Sequence, residues 1–340
     1  MGRILTIILA SLGILFITFA FFFAYLWYDF ITKRYIEEEK IFIVEKGETL
    51  KNVAKRLKEE GLLSNTLSVI LFSKKYEKDI KYGEYELSGA ISPKDIIRTL
   101  SVGKFRTHKI TVVEGDTIYH IATKLESKGI CSRFDFLNSA KDKEFLLKMG
   151  VESETAEGFI FPSTYLFPKN QDPYKLLEIM ISNFFKNLGN ERLIEIEKKD
   201  LTLKFVVTLA SIVEKEAQIS GEKKRIAGVF FNRLKKRMKL QADPTVMYGL
   251  ELFDIPPTPE ILKIDNPYNT YTRGGLPPTP ICNPSLESID AVLHPEINDF
   301  LYFVSRGDGT HEFSKTFDEH TKNIAKIKEL REAGVKGEEE

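Results

Sequence analysis

Two glutamates in LKFVVTLASIVEKEA (residues 203–217) have the type and spacing to do chemistry. An α-helix turns about 100° per residue, so Phe205, Leu209, Ile212 and Glu216 fall on one narrow stripe, flanked by Val206 and Val213. That puts Glu216 on the apolar face of the predicted helix. Glu214, two positions earlier, projects to nearly the opposite side, so the two cannot share one site. Apolar surroundings penalise an ionised carboxylate and raise its pKa toward the range where it donates and accepts protons near neutrality. Glu216 is therefore a candidate general acid/base. A plainer alternative stays open: the helix ends near Glu216, and the carboxylate meets solvent or pairs with Lys215 or Arg225.

Three loops carry the remaining polar and aromatic groups of interest. LQADPTVMYGL (residues 240–250) and NPYNTYTRGGLPPTPICNPS (residues 266–285) are dense in Pro, Gly, Asn, Thr and Tyr, the composition of ordered loops that hold polar side chains over a groove. A plain linker would seldom hold Tyr248, Tyr268 and Tyr271 among so few charges. In EGFIFPSTYLFP (residues 157–168), Glu157 sits beside rings that suit the apolar faces of sugars or simply fill a core.

Composition narrows the chemistry. The 340 residues carry 49 basic and 49 acidic side chains, so no electrostatic footprint for nucleic acid is present and none is expected as a partner. Five scattered histidines show no zinc spacing, and Cys131 and Cys282 give neither a ligand pattern nor a disulfide framework, so no metal or other cofactor is expected. Neither Ser211 nor Cys282 has a histidine at a spacing that suggests a nucleophile-base pair.

The elements that must position these groups begin with an anchor. Residues 4–27 contain no charge, and at 1.5 Å per residue such a run spans about 36 Å, enough to cross a bilayer. A transmembrane helix is predicted, with Tyr25, Trp27 and Tyr28 at its interfacial end. A cleaved signal peptide competes, although its apolar region would be about half as long. Arg3 on one side and Lys33 and Arg34 on the other leave the orientation open.

Next comes a repeated phrase. VEKGETLKNVAKRLKEEGLLS (residues 44–64) matches VVEGDTIYHIATKLESKGICS (residues 112–132) without a gap, 68 positions on. Each copy reads as a strand, a turn at Gly47 or Gly115, and a helix closed at Gly61 or Gly129. The first copy resembles a LysM-like module, a small βααβ unit associated with glycans containing N-acetylglucosamine; a spacer or docking surface is the alternative. Further helices are predicted over residues 65–76, 92–100, 134–139, 143–149, 174–187, 221–237 and 285–293, with an extended stretch at 83–87 and a hairpin formed by residues 300–305 and 311–313. The helix at 174–187 should pack against the Glu216 helix. A last helix over 317–332 decays into the charged tail 336–340, read as disordered.

Together, ASIVEKEA (residues 210–217), VFFNRL (229–234), LQADPTVMYG (240–249), PYNTYTRGGLPPTPICNP (267–284), HP (294–295), LYFV (301–304) and HEFSKTFDEH (311–320) resemble the MltG/YceG family of endolytic murein transglycosylases. The segment EGFIFPSTY resembles the family's EGxxFPxTY, with Ser163 where an aspartate is common, which puts any role for position 163 in doubt. The resemblance implies that Glu216 is the catalytic glutamate. It further implies a short cytoplasmic amino terminus, a single pass through the inner membrane, and a remainder that faces peptidoglycan.

The chemistry so implied is cleavage between N-acetylmuramic acid and N-acetylglucosamine in nascent strands, leaving 1,6-anhydro ends and limiting strand elongation. Gln241, Asp243, Tyr248, Asn269, Tyr271 and Glu157 are then candidates for holding the glycan, with glycan strands, the membrane and cell-wall synthases as candidate partners. Two other readings remain: a non-catalytic glycan-binding scaffold, and a hydrolytic muramidase using Asp243 or Glu157 as second carboxylate. The expected fold is α+β: an anchor over residues 1–34, a LysM-like module over 35–107, a transglycosylase region over 108–328 and a charged tail over 329–340. The catalytic core is expected near 201–322, with a lysozyme-like glutamate helix implied by the family.

Overall fold

The computed structural model describes residues 2–74, 80–253 and 255–337. Its first element, α1 (Gly2–Ile31), is a 30-residue helix with no charge between Arg3 and Asp29, long and apolar enough to cross a membrane. Most of its apolar side chains are exposed, but Leu26, Asp29 and Phe30 are buried at its end.

The chain divides into two compact units, Met1–His108 with Leu166–Asn170, and Lys109–Tyr165 with Gln171–Glu340. In the first, β1 (Arg34–Val44) is followed by α2 (Leu50–Glu59), α3 (Thr66–Phe72), β2 (Gly83–Ile91) and α4 (Pro93–Val102). Strands β1 and β2 pair antiparallel, with a register shift between Ile36 and Lys40. Both run longer than the sequence pattern suggests, because the charged stretch after Arg34 takes up extended pairing on solvent-facing positions. The predicted helix over 65–76 is shorter, ending at Phe72; Tyr76 lies outside the described residues. Alternate positions of the strands (Phe42, Val44, Tyr85, Leu87) meet helix positions Val53, Leu57, Ile97 and Leu100 in one apolar core. Each such large side chain contributes about 1.5–3 kcal/mol by leaving water. The end of α1 joins this unit through Phe72, whose ring meets those of Phe23, Trp27 and Phe30. Asp29 accepts from the Ser68 hydroxyl at 2.6 Å and pairs with Arg34.

The second unit repeats the opening phrase as β3 (His108–Val112), α5 (Ile118–Ser127) and α6 (Arg133–Ser139), then α7 (Lys143–Lys148) and β4 (Ser163–Phe167), which pairs with β3. A long helix, α8 (Pro173–Lys198), runs past the predicted end at 187 because the chain resumes helical form after a kink at Gly189. The centre of the unit is α9 (Leu203–Glu216), which packs against α8, α10 (Lys223–Lys235), α11 (Asp243–Gly249) and α12 (Leu286–Leu293). The hairpin of β5 (Tyr302–Ser305) and β6 (His311–Ser314) follows, and α13 (Phe317–Gly337) extends beyond the expected end at 332 into residues read as tail. Among the described residues the strands form three separate two-stranded sheets between helices, an α+β architecture.

Candidate active site

Helix α9 departs from the expected amphipathic pattern. Every residue from Val206 to Val213 is buried, while Phe205 is only half-buried. The helix threads the core, and no single stripe accounts for Glu216. What places Glu216 is the helix end: it is the last residue of α9, and Ala217 leaves in extended conformation. At that end the helix dipole presents partial negative charge, which disfavours an ionised carboxylate.

The two glutamates have opposite surroundings. Burial works to raise the pKa of Glu214, but bonds from the Ser285 and Ser288 hydroxyls, the Ser285 amide and the charge of Lys223 outweigh it and hold it low. Glu214 thus anchors the start of α12 as a carboxylate. Glu216 lines a cleft of about 370 Å³ together with Arg233, Gln241, Asp243 and Tyr271. No hydrogen bond from protein to its carboxyl is found among the described residues; Arg225 pairs with Glu296 instead. Burial pushes Glu216 up to about 8, the Asp243 charge adds to the rise, and Arg233 opposes it. Near pH 7 Glu216 is therefore mostly the neutral acid.

The loop at 240–250 brings Gln241 to the cleft in a left-handed backbone conformation (φ 50), held by its amide bond to the Thr270 carbonyl at 3.2 Å. Such a conformation costs a non-glycine residue on the order of 1 kcal/mol and is seen most often at functional positions. Asp243 opens α11 and accepts from the Tyr271 hydroxyl. Since Asp243 helps keep Glu216 protonated, Asp243→Asn should lower the Glu216 pKa. The alkaline fall of the kcat/KM profile, where the acid form is lost, should then begin at lower pH, as pH-rate measurements on glycan cleavage would show.

Three candidates are not brought to this cleft. Glu157 is fully buried and accepts from the Ile118 amide (3.0 Å), the Tyr248 hydroxyl (2.9 Å) and the Asn283 side-chain amide (3.2 Å). Tyr248 is spent on that bond and on rings of Tyr119, Phe253 and Tyr268. Asn269 is buried too, binding the Leu262 and Ile264 carbonyls and the amides of Tyr271 and Thr272; it shapes the turn that presents Tyr271. Next to Glu157, Gly158 has φ +85, and a Cβ there would lie 2.6 Å from the Pro280 ring and 2.8 Å from Val207, so this loop approaches α9 as only glycine permits.

Other cleft residues were not singled out from sequence. Arg233, from the last turn of α10, donates to the carbonyls of Leu301 (2.6 Å), Leu240 (2.8 Å) and Lys239 (3.3 Å), with its guanidinium over the Tyr302 ring. His311 bonds Glu222 through both its amide and Nδ1 (2.7 Å). His320 stacks on Tyr302, ring centroids 5.2 Å apart, and its buried Nδ1 has no hydrogen-bond partner among the described residues. Burial, aided by Arg233, lowers the His320 pKa and favours the neutral ring. These residues lie in the motifs VFFNRL, LYFV and HEFSKTFDEH, which was the only signal for them. Tyr302, Phe317 and His320 line the same cleft as the acids of α9 and α11. Polar groups and aromatic rings lining one cleft suit a sugar ring.

The profile of the YceG-like family matches residues 42–326. The endolytic murein transglycosylase of Bacillus subtilis (strain 168) is 33% identical over 300 residues, 82% of each chain. That of Streptococcus pneumoniae serotype 2 (strain D39) is 28% identical over 316 residues, 83% of this chain; the chain spans 57% of that longer relative. A crystal structure of a YceG-like protein from Listeria monocytogenes superposes with a TM-score of 0.58 at 32% identity, covering 84% of this chain and 98% of that one. The match extends from the first unit through the cleft to α13, and the chain belongs to the YceG-like family.

Proposed function

We propose that this protein is a membrane-anchored endolytic transglycosylase of peptidoglycan, with Glu216 as its acid and base. The observation that carries the reading is the place of the Glu216 carboxyl, at the end of α9 in the lining of a cleft of about 370 Å³, where burial raises its pKa. The neutral acid protonates the oxygen bridging N-acetylmuramic acid and N-acetylglucosamine, and the bond to C1 breaks. The resulting carboxylate then takes the proton of the C6 hydroxyl as that oxygen closes on C1, giving the 1,6-anhydro end. Glu216 finishes protonated and no water is consumed. Positive charge develops on the muramic ring during bond breaking, and Asp243, held by Tyr271, offers negative charge in the same cleft.

Helix α1 serves as a single-pass anchor with the amino terminus cytoplasmic and the rest outside, against the wall; a signal sequence is the competing use of the same helix. Residues 35–107 are read as the LysM-like module, 108–328 as the transglycosylase region and 329–340 as the tail. The relatives' names and family support cleavage of murein; the anhydro product rests on Glu216 serving in turn as acid and base. One observation favours a second reading: Asp243 shares the cleft with Glu216, and two carboxyls can run hydrolysis.

Mass spectrometry of fragments released from purified glycan strands by the full chain in detergent separates these. Ends of 1,6-anhydro-N-acetylmuramic acid are expected. Reducing ends would mean a hydrolase, and intact strands retained by folded protein would mean a scaffold.

A further inference from the structure

Helix α3 reads Thr-Leu-Ser-Val-Ile-Leu-Phe, without a charge, in a chain where 29% of residues are charged. Its inner face, with Ser68 and Val69, is buried in the first unit. On the outer face Leu67 and Leu71, one turn apart, are 45% and 46% exposed, and Lys74 follows in the open. Contacts along α1 fix where that face lies. In the first turn of α3 the Ser68 hydroxyl donates to Asp29 at 2.6 Å. At its end the Phe72 ring meets Phe30 and Trp27 and reaches Phe23, ring centroids 5.2 Å apart. Helix α3 thus runs back along α1, toward the apolar span. The depth of its end follows from length. Apolar residues begin after Arg3, and residues 4–23 cover about 30 Å at 1.5 Å per residue, the thickness of the hydrocarbon core of a bilayer. Phe23 then closes the core, and Tyr25, Trp27 and Tyr28 stand at the headgroups, where such rings concentrate. Phe72, touching Phe23 and Trp27, brings the end of α3 to that boundary.

We infer that α3 is a second membrane contact, whose Leu67 and Leu71 enter the boundary between headgroups and acyl chains beside the end of α1. The occupant is lipid because the patch continues the surface that α1 gives to the bilayer: Leu71 adjoins Phe72, and Phe72 packs on Phe23, itself 44% exposed. Lys33 after α1 and Lys74 after α3 are both exposed, and their apolar stems can lie along this boundary with the ammonium groups among lipid phosphates. The first unit is then seated on the bilayer by two helices. The inference rests on the reading of α1 as a membrane span and is independent of the chemistry in the cleft.

Trp27 is the sole tryptophan, so its fluorescence in the full chain, reconstituted in vesicles of phosphatidylethanolamine and phosphatidylglycerol, reads one site at a time. In the unsubstituted protein, phospholipids brominated near the headgroup end of their acyl chains should quench Trp27, which checks the anchor by itself. Trp27→Phe keeps a ring against Phe72, and adding Leu71→Trp or Leu67→Trp moves the reporter to α3. Both positions are open, so a larger side chain fits at either, and the second reporter stands if the first disturbs the fold. Both should lose intensity to the brominated lipids and resist aqueous iodide, Leu71→Trp more than Leu67→Trp because α3 descends toward its end. Quenching of Trp27 by lipid, with both α3 reporters answering only to iodide, would overturn the inference while the anchor stands, and would leave the face to a protein partner. A native Trp27 that brominated lipids leave untouched would remove the anchor, and the inference with it.

Discussion

Glu216→Gln is expected to abolish measurable release of anhydro products while the protein stays folded. A positioned acid/base is worth about 100- to 10,000-fold in rate, and glutamine can neither donate to the bridging oxygen nor take the C6 hydroxyl proton. The same substitution should stabilise the protein at neutral pH, with a sign opposite to that of an ordinary carboxylate. Burial raises Glu216 to about 8 in the folded chain, whereas an unfolded glutamate titrates near its ordinary value of 4.5. Between those values the folded state binds more protons than the unfolded state, so the Glu216 contribution is full below pH 4.5 and is lost as pH rises through 8. The half-open position of the side chain reduces the effect to about 1–2 kcal/mol. Melting curves should therefore place Glu216→Gln above the unsubstituted protein at pH 8 and level with it at pH 4. A variant equally unstable at both, or one that still cuts glycan, would remove Glu216 from the role of proton donor.

The helix around Glu216 was legible in sequence for an incomplete reason. Periodicity located both ends of α9 within a residue or two, since Thr202 caps it and the apolar run is continuous. The stripe through Phe205 did not survive, because a helix enclosed by four others buries every face, and periodicity reports only differences between faces. Glu216 owes its environment to the helix end and to Asp243 and Arg233, which arrive from other elements. Gln241, Asp243 and Tyr271 were readable as cleft residues from loop composition, but that composition could not separate them from Tyr248 and Asn269. The same residue types that hold sugars also satisfy buried loop backbone, as Asn269 does with two carbonyls and two amides. Arg233 was hidden for another reason: its partner Leu301 is 68 residues away in sequence, where spacing carries no information.

Glu157→Ala should separate structure from catalysis most sharply. Three donors converge on this carboxyl, whose pKa burial raises to about 8, from distant parts of the chain: the Ile118 amide at the start of α5, Tyr248 at the end of α11 and Asn283 in the proline-rich loop. Alanine would leave all three in a site closed to water, and each unmade bond costs about 1–3 kcal/mol. Because neighbouring losses are not additive, the expected total is about 3–5 kcal/mol. Urea denaturation followed by circular dichroism would measure it, and hydrogen exchange at the Ile118 amide would show the protection lost locally. Turnover per folded molecule should stay within a few-fold of the unsubstituted protein, since Glu157 does not line the cleft. The decisive companion is Glu157→Gln, which keeps the shape and one acceptor. A muramidase that used Glu157 as its second carboxylate would lose cleavage in Glu157→Gln while keeping most of its stability. A carboxyl that ties Ile118, Tyr248 and Asn283 together predicts the reverse: cleavage retained, and stability reduced in both variants, more in alanine than in glutamine.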